Sequence, residues 1–550
     1  MPLDPEKVVR PKRRKHYGRA RYFILVLIIL LQFAAMTYVC RDKAEYHIDE
    51  IYSYLLSNSY DTDRIAHDES KWDQWVSGDE FKDFVTVQQG EGFSYDKVYF
   101  NNSLDCHPPL YYWAVHTVCS FFPEHFSMWF GLVLNLIFLA GADIFIYQIS
   151  RKLIASKHLQ FLPVIIYGFS PIAVETVTFI RMYMLLTMLA MIFCYLIISM
   201  IKDGVTKTKL AFTWIAIYLG GMTQYYALVL CFWGVLFFEI YLLANKKIKE
   251  FFINGIASLA SVALVYFSFP YILTQAFGSD TNNIGNEVSG NLFNIKLHLR
   301  QARDLMETFF DHTGYENFGK IACIVVAAAV LFLFVWKLIW KKKEAFRQTT
   351  EAWWIFGVFT MTFLSVSFIG GEYVYLRYIY FVVPLVYLLV GYAFDRYTNL
   401  GVLQKIIAGA LTIFTLSMFV YGAVKKESPY LFRDMAESNA VLSEYSDLKL
   451  IVIGSESERA TSVPTGNITK IMQFDEVYLC TKESIKKAGT FEECLNNEEQ
   501  FIVFIGTSDY WLDGMDPTDT IRELSGSRHV VCTPITDGLL GEYYLVKKRT

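Results

Sequence analysis

The chain has 550 residues, 54% of them hydrophobic and 17% aromatic, with a formal net charge of −4. An apolar excess of this size, with positive mean hydropathy, marks an integral membrane protein and excludes an ordinary water-soluble domain. Nine cysteines are scattered without a CxxC pair or metal-ligand spacing, so no structural zinc module is indicated.

Residues 1–21 hold Lys7, Arg10, Lys12, Arg13, Arg14, Lys15, Arg19 and Arg21 against Asp4 and Glu6. By the positive-inside rule this is a basic cytosolic tail. A span follows it at once, so it is not read as a nucleic-acid site. Residues 22–39 lack a small-residue cleavage site and read as a retained signal-anchor. Further apolar runs at 126–149, 159–171, 181–201, 209–222, 225–244, 252–275, 318–340, 352–370, 376–394 and 401–423 bring the expected spans to eleven. Alternation from a cytosolic start leaves Arg151, Lys152 and Lys157, residues 202–209, Lys246, Lys247 and Lys249, residues 337–347 and Asp395-Arg396 in cytosolic turns. All but the last are rich in Lys and Arg, as the rule requires.

The membrane module therefore covers 22–423. Its first outer loop, 41–125, contains an apolar stretch at 110–122 that opens after Pro108-Pro109 and reads as an interfacial helix. The second, 277–316, carries Leu292, Ile295, Leu299, Ala302, Leu305, Met306 and Phe309 at helical spacing, an amphipathic helix. Residues 424–550 read as an extracytoplasmic α/β domain with strands at 448–453, 501–505, 529–532 and 543–546. Cys480, Cys494 and Cys532 fall there, where a disulfide is allowed but sequence cannot pair them. Asn101-Asn102-Ser103 and Asn467-Ile468-Thr469 are glycosylation patterns on the same side. No sustained internal repeat is visible, which gives no support to a transporter built from inverted halves.

This topology gathers ionisable residues at one face. The first loop supplies His47, Asp49 and Glu50, then Asp105 and His107; later outer turns supply Glu175 and Arg181, Gln224-Tyr225-Tyr226, and Glu372 with Arg377. Charges at membrane depth are costly and face a cavity or a partner. Taken singly, each has a plainer role: an exposed carboxylate pair, a turn-orienting histidine, arginines snorkelling to headgroups, tyrosines of the aromatic belt. Their coincidence on one face points to a wet, buried site. Asp143 and Glu239 fall toward the opposite ends of their spans and are left out.

Asp49-Glu50 after the first span, His107-Pro108-Pro109-Leu110-Tyr111-Tyr112-Trp113 closing the first loop, Arg181-Met182-Tyr183 opening the fourth span, and Arg377-Tyr378 with Pro384 in the tenth occur in an ordered set. In that order and placement the chain resembles the membrane glycosyltransferases of the GT-C fold that use polyprenyl-phosphate sugars. Similar in pattern are the protein O-mannosyltransferases of family 39 and the aminoarabinose transferase of lipid A, over roughly residues 20–395.

The resemblance implies an all-α polytopic membrane protein with a C-terminal extracytoplasmic α/β domain, and transfer of a monosaccharide with inversion. It implies Asp49 as general base and Glu50 as its catalytic neighbour, positioning the acceptor or tuning the first carboxyl. Arg377 and Arg181 are implied as donors to the lipid phosphate. His107, Asp105, Glu175, Tyr183, Tyr225 and Glu372 complete the expected substrate-binding set. The aminoarabinose transferase has a lysine where His107 stands, and the charge of a histidine near neutral pH is conditional. His47, Asp49, Asp105 and His107 also suit a divalent ion, but the reading adopted has no cofactor. The expected partners are a polyprenyl-phosphate-linked donor, an acceptor that is an envelope polymer, lipid or protein, and membrane lipids. The alternative from another class is a transporter or flippase of lipid-linked glycans, which would place its charges near the midplane.

Overall fold

The computed structural model describes residues 14–59, 69–277, 294–313, 350–369, 375–398, 401–425, 428–454, 462–506, 516–526, 530–539 and 541–548. Among these, eight helices are long and apolar enough to cross a bilayer, or nine if one bent pair counts as a single span. The first is α1 (Arg14–Cys40). A connection at 41–47 leads to the short α2 (Ile48–Asn58). The first loop then forms α3 (Tyr95–Ser103) and α4 (Leu110–Ser120). α4 starts after Pro109, as the two prolines require, but it buries Tyr111, Tyr112, Val115 and Cys119 instead of lying open at an interface.

The bundle continues through α5 (Met128–Leu153), α6 (Leu162–Gly168), α7 (Pro171–Thr178) and α8 (Tyr183–Asp203). The expected third span is the bent pair: residues 159–168 and 171–178 meet at 51°. Pro171 sits in the first turn of α7 with Ser170 as its cap, so the break falls where a helix can restart. The expected fifth span is α9 (Lys207–Gly221), at 15 residues shorter than a full crossing. It is followed by α10 (Tyr226–Ala244) and α11 (Ile248–Ser268). Helices Thr350–Ile369, Val383–Thr398 and Val402–Lys425 correspond to the last three expected spans. The amphipathic helix of the second loop is present as Ile295–Thr313, burying Leu305 and Phe309. The expected span at 318–340 lies outside the described residues.

Close approach of α5 to the turn between α7 and α8 matters for the site. A Cβ on Gly131 would lie 2.0 Å from Ile180, so only glycine permits this contact. Next to it the Asn135 amide donates to the carbonyls of Val177 and Phe179 at 3.0 and 2.9 Å. The turn is thereby pinned to the bundle core.

The C-terminal unit contains a six-stranded sheet in the order β1-β3-β2-β4-β6-β5. Its strands are β1 (Trp75–Val76), β2 (Leu450–Gly454), β3 (Val477–Thr481), β4 (Gln500–Gly506), β5 (Val530–Gly538) and β6 (Gly541–Lys548). β3, β2 and β4 are parallel and apolar, as strands covered on both faces are. Sequence reading missed β3, a short buried run with no alternation. It also could not see β1, which the first loop contributes antiparallel to β3. The eight cysteines among the described residues are unpaired. Both glycosylation patterns are buried: Asn101 donates to the Ser59 carbonyl at 2.7 Å and Asn467 to the Val463 carbonyl at 2.8 Å. In the folded chain neither amide is free to carry a glycan.

Candidate active site

The site is built from the start of α2 outward. His47 is its N-cap and Glu50 the third residue, in a capping box: the Glu50 carboxylate accepts from the His47 backbone N–H at 2.6 Å. The same carboxylate accepts from Lys43 Nζ at 2.9 Å and from the Ile180 backbone N–H at 2.7 Å. Glu50 is thus fully buried, and it ties α2 to the turn that carries Arg181. Burial pushes its pKa up, against the pull of Lys43 and the two backbone donors.

One residue earlier on the helix, Asp49 points elsewhere. Its side chain is 27% exposed where that of Glu50 is 0%, so of the two carboxylates only Asp49 is reachable. Asp49 Oδ2 lies 3.3 Å from Arg377 Nη2. Burial works against its charge, but Arg181 and Arg377 outweigh that and hold the carboxyl below its ordinary value. His47 Nδ1 accepts from the Asp49 backbone N–H at 3.1 Å, which fixes the proton on the other nitrogen. Burial lowers its pKa to about 4 against the pull of Asp49, so His47 is a neutral cap.

Arg181 is buried in the turn after α7. Its Nη1 donates to the Asp49 carbonyl at 3.0 Å and to the Tyr112 hydroxyl at 3.2 Å, while Nη2 lies 3.3 Å from His107 Nε2. On its other side His107 Nδ1 lies 2.7 Å from Asp105 Oδ2. Burial disfavours the imidazolium, yet Cys106 and Asp105 outweigh it and raise the His107 pKa to about 9. When its ring is protonated, His107 presents an Nε2–H head to head with a guanidinium N–H of Arg181. Two donors meeting this way define a place for an anion's oxygen.

Arg377 is the second residue of the 3-10 turn Leu376–Val382. Its guanidinium stacks on Tyr375 at 4.3 Å, with Phe179 and Tyr378 at 5.6 and 5.7 Å. Asp49, Arg181, Arg377, His107 and Asp105 therefore form one connected constellation. Tyr183 is buried behind it, stacked on Phe179 at 5.9 Å. Glu175 accepts from the Tyr380 hydroxyl and braces α7 against the turn that holds Arg377. Tyr225 donates to Gln275, which in turn donates to the Asn102 carbonyl at 2.9 Å, an arm that holds the first loop. Glu372 lies outside the described residues. Sequence reading missed Lys43, which pairs with Glu50, and Tyr430, whose ring stacks on Phe179 at 4.1 Å and whose carbonyl accepts from Lys43; neither sits in a motif or at a helical spacing that would single it out.

A metal has one candidate place among the described residues. Asp105, Cys106 and His107 offer ligand atoms within 4.8 Å of one another. A metal-bound histidine donates its other ring N–H to an acceptor, whereas here that nitrogen meets the Arg181 guanidinium at 3.3 Å. The position suits an anion better than a second cation.

No protein-family model and no curated protein matches the sequence. Solved structures do. ArnT from Cupriavidus metallidurans bound to undecaprenyl phosphate aligns with TM-score 0.53 at 11% identity, over 95% of this chain and 98% of that one. The apo state of the same protein aligns with TM-score 0.53 at 10% identity, over 96% and 98%. The archaeal oligosaccharyltransferase AglB from Archaeoglobus fulgidus, at TM-score 0.42 and 10% identity over 90% of this chain and 72% of that one, lies too far to carry an argument. Coverage of nearly both whole chains by the ArnT alignments, with the helical bundle and the C-terminal sheet included, shows that this chain has the GT-C fold.

Proposed function

We propose that the protein is a membrane glycosyltransferase that moves a hexosyl or pentosyl group from a polyprenyl-phosphate donor to an acceptor hydroxyl, with inversion. The observation that carries this reading is the constellation itself, an ionised carboxylate beside two guanidiniums and an imidazolium. The acceptor oxygen attacks the anomeric carbon as the bond to the phosphate oxygen breaks. Its proton passes to Asp49, and the bond's electron pair leaves with the phosphate. Arg377, Arg181 and His107 supply charge where the leaving group gains it. A phosphate that draws Arg377 toward itself also weakens the Asp49–Arg377 pair, which makes Asp49 a better base as the donor binds. Tyr183, Glu175 and Tyr225 shape and brace this pocket, and Glu372 belongs to the same reading. Glu50 serves it as a positioning residue, and no metal is assigned a role.

By the charge of the turns, the N-terminus is cytosolic, and the site and C-terminal domain lie outside the plasma membrane. The acceptor is then an envelope polymer, a lipid or a protein met at that face. A flippase would need access from both sides, yet these charges gather at one end of the bundle. Sealed vesicles of known orientation test the choice. A new glycosidic bond is expected only with donor in the outer leaflet, and without an ion gradient. Strict dependence on a gradient, with no bond formed, would favour the flippase.

His107 gives this reading a pH signature. Its folded-state pKa is raised, so its contribution to stability and anion binding is complete below the ordinary histidine value and is lost as pH rises through about 9. Affinity for a polyprenyl phosphodiester, whose own charge is constant here, is expected to hold between pH 6 and 8 and fall above about 9. In His107→Gln the alkaline fall should vanish. A fall that persists in the variant would assign it to another group.

A further inference from the structure

Helix α2 carries Asp49, and the chain on both sides of it is fastened to the segments that follow the last span. Ahead of α2, residues 42–45 form a strap attached at every residue. Asp42 pairs with Arg433 at 3.0 Å. Lys43 Nζ donates to the Tyr430 carbonyl, and the Ala44 N–H donates to the Leu431 carbonyl at 2.8 Å. Glu45 is buried, and its carboxylate accepts from the Thr469 hydroxyl at 2.9 Å, the Asn439 amide at 3.2 Å and the Tyr46 backbone N–H at 2.9 Å. Asn439 also donates to the Ala44 carbonyl at 3.1 Å. The cap of α2 is held too, since the His47 ring stacks on Phe432 with centroids 6.3 Å apart. Beyond α2, the Asp73 N–H donates to the Leu479 carbonyl at 2.8 Å and the Gly78 N–H to the Phe474 carbonyl at 3.1 Å, on either side of the β1–β3 pairing.

We infer that Glu45 is a positioning residue for Asp49: by gripping it, the C-terminal unit sets where the first turn of α2 stands. The inference rests on the glycosyltransferase reading above. Only Tyr46, His47 and Ile48 separate the two carboxylates in the chain. The first of these gives its N–H to Glu45 and the second is the N-cap of α2, so the connection has little slack. Hydrogen bonds are directional, and a carboxylate held by three donors cannot swing as a loosely paired one can. Glu50 ties α2 to the bundle core through Ile180; Glu45 ties the approach to α2 to the C-terminal unit. A general base must stay within hydrogen-bond reach of the proton it takes, and the two ties together fix that reach for Asp49.

The test is a double-mutant cycle on the full chain in nanodiscs, with a polyprenyl-phosphate hexose as donor and an envelope extract as acceptor. One side of the cycle is Glu45→Ala; the other is Thr469→Val combined with Asn439→Ala, changes confined to the C-terminal unit. Each is expected to lower kcat by roughly ten- to a hundredfold, the size of effect that a small misplacement of a reacting group has. Affinity for undecaprenyl phosphate should stay within about threefold, because Arg181, Arg377 and His107 lie on other elements. Amide exchange in the first turn of α2 should quicken. Joining the two sides should add no further loss, and Glu45→Gln, which keeps an acceptor for Thr469 and Tyr46, should retain most of the turnover. Where Glu45→Ala fails to fold, the Thr469 and Asn439 changes carry the test alone. Wild-type turnover in that pair, or losses that simply add, would overturn the inference and leave the glycosyltransferase reading intact. A wild-type protein that transfers no sugar would remove that reading and the inference with it.

Discussion

Replacing Asp49 by Asn is expected to cut transfer by ~10²–10⁴-fold, the usual range for loss of a general base. The amide keeps the size and most hydrogen-bonding capacity of the carboxylate but cannot take a proton from the acceptor. Donor binding should be unchanged or tighter, because Arg377 loses the carboxylate that competes with the phosphate at 3.3 Å. Folding should be nearly unaffected, since the side chain is partly exposed and the Asp49 carbonyl, not its carboxylate, holds Arg181. The decisive measurement is turnover of the purified, reconstituted variant together with its lipid-phosphate affinity. Turnover within threefold of wild type would take Asp49 out of the catalytic role.

Glu50 should behave in the opposite way. Glu50→Ala leaves Lys43 charged, buried and without its carboxylate, and strands the N–H groups of His47 and Ile180. Breaking a buried pair in this manner costs about 3–5 kcal/mol, so a large fall in thermal stability is expected. Glu50→Gln keeps an acceptor for the backbone donors and should lose less stability. Assayed well below its melting point, it should still transfer, at a reduced rate. The result that would restore Glu50 as a catalytic group is loss of turnover in Glu50→Gln comparable to that of Asp49→Asn, with an unchanged melting temperature.

The contrast between these neighbours shows where sequence reasoning ran out. The motif Asp49-Glu50 was readable as an acidic pair in the first outer loop; the structure places it in the first turn of α2. Successive residues on a helix are turned by about 100°, and which of two carboxylates meets the site depends on what packs around α2. Here Lys43 and Ile180 claim Glu50. Likewise, the helix Tyr183–Asp203 was legible from its apolar run, but the pinning of the turn before it by Asn135 and Gly131 was not. The strand β3 was missed because it is a short buried run without alternation, and the borrowed strand β1 because Trp75 pairs with Tyr478, far away in the chain, and leaves no local pattern.

What the sequence determined by itself was the fold class, the positions of most apolar helices, and the residue types gathered between them. These follow from hydrophobic length and charge, which are properties of each segment alone. The tertiary structure alone decided the division of labour. It turned Asp49 toward Arg377 and Glu50 into the core, brought His107 and Arg181 head to head, and carried Tyr430 to Phe179. Such choices rest on contacts between distant segments, and a linear pattern does not encode which donor a buried acceptor will meet.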